Sequence, residues 1–282
     1  MSATTRAIPF EFTRRRNAAS ARGWWLGFLL MLAGPSAFAG AWTPPAGTGE
    51  AYLSTTATSN NRYFNDDGSS FTNQAYRKVE TQLRVEYGIT DSLTGFVGPS
   101  LLHTSVGGSA GDSYFGLGYT DFGLRKRLYS DGANVFSVEA TARVPGASNS
   151  SNPAEVGYTG MEYDLRALYG RSFQLGNWPA FAEAELAWHI RNGAPPNEYR
   201  IDLTLGARPA PHWLVLLQAF SVISEGAGRG AFDVPYRYYK IQPSVVWDFT
   251  SKWSAQLGAV TTVAGRNSWR EQGVVAGLWR RF

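Results

Sequence analysis

Hydrophobic and polar residues alternate with a period of two along most of the chain. From Lys78 to Glu86, charged or polar side chains occupy every second position, and mostly apolar ones lie between them. Successive side chains of a β-strand point to opposite faces, so this pattern predicts strands with one charged and one apolar face. On a helix the same residues would form no apolar stripe. The alternation recurs at 136–144, 162–167, 182–191, 198–205 and 239–245.

Turn residues divide the chain after residue 40 into predicted strands. We place them at 47–58, 75–87, 92–104, 113–129, 134–144, 160–170, 179–191, 197–207, 213–224, 235–249, 253–263 and 272–282. Long connections then alternate with short ones, as in outer-membrane barrels whose termini share the short-turn, periplasmic side. The sequence therefore predicts an all-β fold, a closed antiparallel transmembrane β-barrel of about twelve strands.

A soluble β-sandwich also has alternating strands and is the simplest alternative fold. The apolar parity persists over lengths that suit membrane-crossing strands of about 9–11 residues. Tryptophans also lie mostly near predicted strand ends, where a transmembrane barrel has its aromatic girdles. They are Trp178, Trp188, Trp213, Trp247, Trp253, Trp269 and Trp279. The chain ends on an apolar strand with Phe282, which predicts recognition of that strand by the barrel-assembly machinery.

The first 39 residues predict a cleaved secretory signal peptide. Three arginines at 14–16 precede an apolar run at 24–32, and Ala37-Phe38-Ala39 forms an A-x-A site for cleavage after Ala39. The apolar run is too short for a membrane-spanning helix, which needs about 20 residues. We therefore expect a signal peptide at 1–39 and an outer-membrane β-barrel at 40–282.

The position of the charges excludes the partners that a basic chain normally suggests. The sequence has 26 Lys and Arg against 22 Asp and Glu, a net charge of +4. The first 39 residues contain five basic residues and one acidic residue, so 26 − 5 and 22 − 1 leave 21 of each sign in the rest. A neutral mature chain is not attracted to nucleic acid, and none is expected as a partner. The expected partners are outer-membrane lipid, the assembly machinery and envelope export proteins.

If the apolar parity faces lipid, the charged parity faces the lumen. The predicted pore-lining residues are Lys78, Glu80, Arg84, Glu86, Asp121, Arg125, Glu139, Arg143, Asp164, Arg166, Glu183, Glu185, Arg200, Asp202 and Lys240. These charges either line a narrow wet pore or fill the lumen as a structural network. Barrels of about 8 strands are filled by side chains and those of about 16–18 are open. At an intermediate size, we favour a narrow passive pore or transporter for small or polymeric polar solutes.

Other chemistry has weak support in the sequence. It contains no cysteine, and its three histidines lack metal-ligand spacing, so no cofactor, metal site or catalytic residue is predicted. A lipid-modifying enzyme is one alternative, because His103 and Ser105 share a parity and Asp112 lies nearby. A non-conducting structural barrel that anchors an export complex is the other alternative.

Five stretches of the chain carry a family resemblance: 76–99, 115–128, 164–173, 197–209 and 263–282. They resemble a family of bacterial outer-membrane barrels named after a meta-pathway phenol-degradation protein. This family includes the XagA-like proteins, which are associated with an exopolysaccharide gene cluster. The resemblance extends over most of the chain from residue 41 and implies an outer-membrane barrel. It further implies either exopolysaccharide-associated export or uptake of small organic compounds, and it supplies no catalytic residues.

Overall fold

A computed structural model describes residues 40–107 and 112–282, which are mostly β-strand. The strands are β1 Gly49–Phe64, β2 Ser70–Thr90, β3 Leu93–Val106, β4 Asp112–Ser130, β5 Asn134–Pro145, β6 Glu162–Leu175, β7 Trp178–Arg191, β8 Glu198–Ala210, β9 Trp213–Ser224, β10 Arg237–Asp248, β11 Trp253–Arg266, β12 Ser268–Trp269 and β13 Gln272–Arg281. One 3₁₀ turn, Gly230–Phe232, lies between β9 and β10. Within the described ranges, no helix has the length and apolarity to cross a membrane. The predicted signal peptide and its cleavage site lie at residues outside these ranges, apart from Gly40.

The sheet closes into a ring where β1 meets the end of the chain. Leu53 of β1 pairs with Leu83 of β2 on one side and with Leu278 of β13 on the other. The short β12 also pairs with β1, beyond an interruption at 270–271, so β12 and β13 together form the twelfth barrel strand. All pairings are antiparallel. The predicted closed, twelve-stranded antiparallel barrel is confirmed.

The outward-facing parity of the strands is apolar. Exposed residues on this face include Leu53, Leu83, Val97, Leu101, Phe122, Leu124, Val138, Leu165, Leu186, Leu203, Val215, Leu217, Val245, Leu257, Val263 and Val274. The inward face of the sheet is enclosed by the ring, so only the outward face meets the surroundings of the barrel. An apolar outer band around a closed barrel is the surface that a lipid bilayer covers.

Exposed aromatic side chains lie toward both ends of the barrel, of which we call the end with Gly49 and Phe282 the near end. Trp213 and Trp247 are exposed there and stack with ring centroids 6.2 Å apart. Trp279 differs from the girdle expectation, because its side chain is buried inside the barrel and packs edge-on against Tyr52 at 6.3 Å. The odd-even alternation explains this difference, since Trp279 lies on the opposite parity from Leu278.

The first hairpin is longer than the sequence pattern indicated. We expected strands to end at 58 and resume at 75, but β1 continues to Phe64 and β2 starts at Ser70. A register shift between Asn60 and Arg62 interrupts the alternation, so the periodic signal stops before the strand does. The turn is tight: Asp67 accepts a hydrogen bond from the Ser69 backbone nitrogen at 2.7 Å, and this bond lowers the pKa of the carboxyl.

The turn between β4 and β5 at the near end contains Asp131-Gly132, a dipeptide typical of tight turns. Gly132 has a φ of 91°, which an L-residue with a side chain rarely adopts. The Asp131 carboxylate accepts hydrogen bonds from the backbone nitrogens of Asn134 at 2.6 Å and Ala133 at 3.0 Å. The bond from Asn134 is the main cause that lowers the pKa of Asp131 to about 2. The carboxylate therefore stabilises this turn above its unfolded pKa near 3.9, and the contribution fades as pH falls toward 2.

Candidate functional site: the interior of the barrel

Four charged side chains form a compact cluster inside the barrel toward the near end. Arg125 donates from Nη1 and Nη2 to the two Glu86 oxygens at 3.0 and 3.1 Å, and from Nε to Glu139 at 2.9 Å. Arg84 Nε donates to Glu86 at 2.7 Å. Arg125 is only 4% exposed. The cluster joins β2 to β4, which share no backbone hydrogen bonds because β3 lies between them.

A second network follows β4 to β8 toward the opposite, far end. Arg143 bridges Asp121 at 2.9 Å and Glu162 at 3.2 Å. Arg191 then bridges Glu162 at 2.7 Å and Glu198 at 3.0 Å. Alternating acids and bases therefore run across five consecutive strands. Each arginine along that wall therefore lies between two carboxylates.

His189 lies fully buried at the centre of this network. Its Nε2 is 3.0 Å from Glu162 and its Nδ1 is 3.2 Å from Asp164. Arg166 contacts Asp164 at 3.2 Å and Asp202 at 2.7 Å. Arg166 also pairs with Glu185, the pairing that the charge alternation allowed. One guanidinium thus serves three carboxylates.

The wall formed by β9, β10, β11 and β13 is neutral over its middle part. The Gln242 side-chain amide donates to Gln218 at 2.9 Å, and the Gln256 amide donates to Ser244 at 2.9 Å. Buried apolar side chains lie on the same inward parity: Leu214, Leu216, Val222, Val246, Val260 and Val275. The sequence showed no clear alternation near Leu214 because both faces of β9 are apolar. The interior therefore has one charged wall and one neutral wall.

The neutral wall meets charged residues toward its two ends. Lys240 pairs with Glu271 toward the far end. Arg208 donates to Asp248 at 2.7 Å at the near end, and Arg281 also contacts Asp248. The ends of the interior are thus more polar than the middle of this wall.

Residues 40–48, which we call the N-terminal segment, lie inside the barrel at the near end. The Ala41 backbone nitrogen donates to Glu183 of β7 at 2.7 Å. Toward β1, the Gly47 nitrogen donates to the Gly88 carbonyl of β2 at 2.9 Å. Strands β2 and β7 are five positions apart in a ring of twelve. The segment therefore crosses the interior close to its full width.

Trp42 fixes this segment against the wall. Its ring packs edge-on against Phe181, with centroids 6.1 Å apart. Gly170 provides the recess, because a side chain there would collide with the Trp42 ring. Arg125 Nη1 donates to the Trp42 carbonyl at 3.3 Å, and Ser137 Oγ donates to the preceding carbonyl at 2.5 Å. Aromatic packing and polar contacts thus hold the segment to four strands.

The loop at 146–161 folds into the far end of the interior. Thr104 Oγ1 donates to the Ala154 carbonyl at 2.5 Å, and the Tyr119 hydroxyl donates to the Gly160 carbonyl at 3.1 Å. Arg191 Nη2 donates to the carbonyl of Gly157 at 2.9 Å. Chain segments therefore occupy part of the interior at both ends. The strands predicted at 134–144 and 160–170 leave a long connection here, but the sequence gives no sign that it folds inward.

The predicted pore-lining side chains all lie on the inward parity. Each forms an ion pair except Glu183, within the residues that the structure describes. That they line a conducting path stays a prediction. Sequence reasoning missed the N-terminal segment, Gln218, Gln256 and Glu271. Gln218 lies between the inward residues Leu216 and Phe220, and Gln256 lies between Ser254 and Gly258, so no run of charges marked them.

The residues considered for lipid chemistry have a different position. His103 and Ser105 belong to the outward parity of β3, and the His103 ring packs against Phe115 at 6.2 Å. They are therefore turned away from the charged interior. In the described part of the chain, no group of three or more metal-ligating side chains comes together.

The closed ring, apolar exterior and polar interior define the class of fold, a transmembrane β-barrel of the outer-membrane type. No family model matches the chain, and no curated protein matches its sequence. Its structure is similar to that of the COG4313 outer membrane channel from Pseudomonas putida F1. The TM-score is 0.72 at 16% identity, over 86% of this chain and 98% of that chain.

A second solved structure has a weaker similarity to the chain. It is the translocator domain of the autotransporter NalP from Neisseria meningitidis, with a TM-score of 0.51 at 11% identity, over 93% of this chain and 95% of that chain. A channel and a translocator domain thus share this architecture. The similarities therefore establish the fold, and function has to be argued from the interior.

Proposed function

We propose that this chain is an outer-membrane protein that acts as a narrow passive channel for small uncharged organic compounds. The apolar outward parity contacts lipid, and the near end faces the periplasm, as in barrels with short turns on the side of the termini. The observation that carries the proposal is the division of the interior into a paired charged wall and a neutral wall. Recognition of Phe282 by the assembly machinery is part of the same proposal.

The two walls favour uncharged solutes over ions. On the charged wall, most carboxylates already have a cationic partner. A charged solute would therefore have to break an existing ion pair, or give up its hydration without gaining a partner of opposite charge. On the neutral wall, glutamine amides offer hydrogen bonds and the inward valines and leucines accept apolar groups. A small molecule with an apolar body and a few hydroxyls matches both surfaces.

The resemblance to the meta-pathway phenol-degradation and XagA-like family supports the same class of function. We propose membership in that family on the five stretches that carry the resemblance. Of the two activities it implies, uptake of small organic compounds agrees better with the narrow, partly apolar interior. Both ends contain chain segments, which disfavours passage of a long polysaccharide without prior movement.

Solute preference can be measured in proteoliposomes with two compounds of similar size that cross lipid poorly. We expect phenyl glucoside, which is uncharged, to enter several-fold faster than phenyl glucuronide, which has a carboxylate. Empty liposomes give the background rate. Equal entry of both compounds would contradict the proposed solute class, and entry of neither would favour the non-conducting structural barrel.

Ion selectivity tests whether the charged wall lines the conducting path. Replacing Arg166 with Glu leaves Asp164, Glu185 and Asp202 without their shared cation, so we expect the reversal potential in a salt gradient to shift toward cation selectivity. Arg84→Glu should shift it in the same direction. The matched control is Arg77→Glu, on the exposed outward parity of β2. Unchanged reversal potentials in both interior variants would contradict the proposed lining.

A further inference from the structure

Glu183 is a buried carboxylate whose bonding is incomplete. It is 4% exposed, and its Oε1 accepts the hydrogen bond from the Ala41 nitrogen. Its Oε2 is buried without a hydrogen-bond partner. Among the described residues, each of the other inward-facing strand carboxylates has a cationic partner within 4.0 Å, and Glu183 has none. Burying a charged carboxylate in this way is strongly unfavourable unless a cation joins it or it takes up a proton.

The surroundings of Glu183 are short of positive charge. Glu185 lies two positions along the same strand face and shares Arg166 with Asp164 and Asp202. The nearby Arg200 is engaged by Glu198 at 2.6 Å. One further cation would therefore be stabilised between Glu183 and Glu185.

Gly40 places the start of the N-terminal segment at these two carboxylates. A Cβ added to Gly40 would lie 2.7 Å from Glu185 Oε1, 2.9 Å from Glu183 Oε1 and 3.2 Å from the Leu168 side chain. The Gly40 main chain thus lies in contact with both acids, and only glycine fits there. The predicted signal-peptide cleavage falls directly before this residue.

Cleavage changes the chemistry of the Gly40 nitrogen. Hydrolysis breaks the bond between the Ala39 carbonyl carbon and this nitrogen; water supplies the hydroxyl to the carbonyl carbon and a proton to the nitrogen. The amine then takes up a second proton and becomes an ammonium with three donors. An amide nitrogen in the uncleaved chain carries one proton and no charge, so it cannot replace the missing cation.

We propose that Glu183 and Glu185 form a binding site for the chain's own α-ammonium at Gly40. Removal of the signal peptide supplies the cation that this part of the interior lacks, and the ion pair fastens the N-terminal segment across the near end. The proposal rests on the predicted cleavage after Ala39. It does not depend on the solute, so channel measurements and this test can fail separately.

Amine reactivity in the mature protein tests the site. Protein extracted from outer membranes in detergent is treated with formaldehyde and cyanoborohydride, and mass spectrometry follows dimethylation of the Gly40 amine against that of Lys252, an exposed lysine in a near-end turn. The measured quantity is the rate of dimethylation at Gly40 divided by the rate at Lys252. We expect this ratio to be lower by about tenfold or more in the folded protein than in the denatured protein, because a charge-assisted bond to a buried acid protects the amine. Glu183→Gln together with Glu185→Gln should abolish most of this protection.

One control variant and two contrary outcomes separate the ion pair from other causes of protection. Glu225→Gln changes an exposed carboxylate and should leave the ratio unchanged. Glutamine has nearly the shape of glutamate, so protection that persists in the double variant would show burial alone and overturn the proposal. An N-terminus at any residue other than Gly40, found in the same spectra, would also overturn it. If the double variant does not fold, Glu183→Gln alone is compared with the unaltered protein by the same ratio.

Discussion

Removal of residues 40–46 should raise the single-channel conductance of the refolded barrel several-fold. These residues cross the near end from β2 to β7 and have no part in the backbone pairing of the ring, which starts at Gly49. The strands should therefore still close, while the cross-section available to ions grows. Planar-bilayer recording of the shortened chain beside the chain that starts at Gly40 measures the difference.

A single substitution makes the same test with less disturbance. Trp42→Ala removes the ring that packs on Phe181 in the recess at Gly170, so the segment should detach and conductance should rise with larger fluctuations. Trp178→Ala, which removes an exposed tryptophan at the near end of β7, should leave conductance as it is. If both the deletion and Trp42→Ala conduct like the unaltered chain, the segment does not limit the path.

Replacing Arg125 with Met should lower the free energy of unfolding by about 3–5 kcal/mol, the usual cost of breaking a buried ion pair by removing one partner. Glu86 and Glu139 are both less than 10% exposed, and without Arg125 they would have to share Arg84, which lies 2.7 Å from Glu86 and 3.4 Å from Glu139. Urea unfolding in lipid vesicles, followed by tryptophan fluorescence, measures the change.

The control for this variant is Arg77→Met, because Arg77 is exposed on the outward parity. We expect it to change the unfolding free energy by no more than about 0.5 kcal/mol. Adding Glu139→Gln to the Arg125→Met chain should recover part of the loss, since the excess negative charge is then gone and Arg84 stays paired with Glu86. Similar unfolding midpoints for Arg125→Met and Arg77→Met would show that the cluster contributes little to stability.

The fold was predictable because a membrane barrel assigns each parity of a strand to a different solvent. Lipid requires one parity to be apolar and the ring interior accepts charge, so alternation alone locates most strands. The alternation did not mark strand ends or strand faces correctly where that rule does not operate. At the first hairpin a register shift breaks the period, and in β9 the inward Leu214 and Leu216 make both faces apolar.

The sequence predicts which side chains face the interior, but not which of them contact one another. Parity placed Arg166 and Asp202 on the same side, yet their contact spans β6 to β8 and depends on register and side-chain reach that no local pattern contains. The N-terminal segment is the extreme case. Its bond from Ala41 to Glu183 joins residues 142 positions apart, and nothing in the short sequence around Trp42 marks an interior location.

The seam between the first and last strands determines when this barrel can become complete. Gly49 and Phe282 exchange backbone hydrogen bonds of 2.8 and 2.9 Å, so the contact that closes the ring joins the two extremes of the folded sequence. Such a contact has the largest loop-closure entropy in the chain and forms slowly. The N-terminal segment is covalently joined to β1, so it is held beside the contact that closes the ring. A chain that lost its last strand could not form this contact, so its ring would stay open and the N-terminal segment would have no enclosed interior to cross.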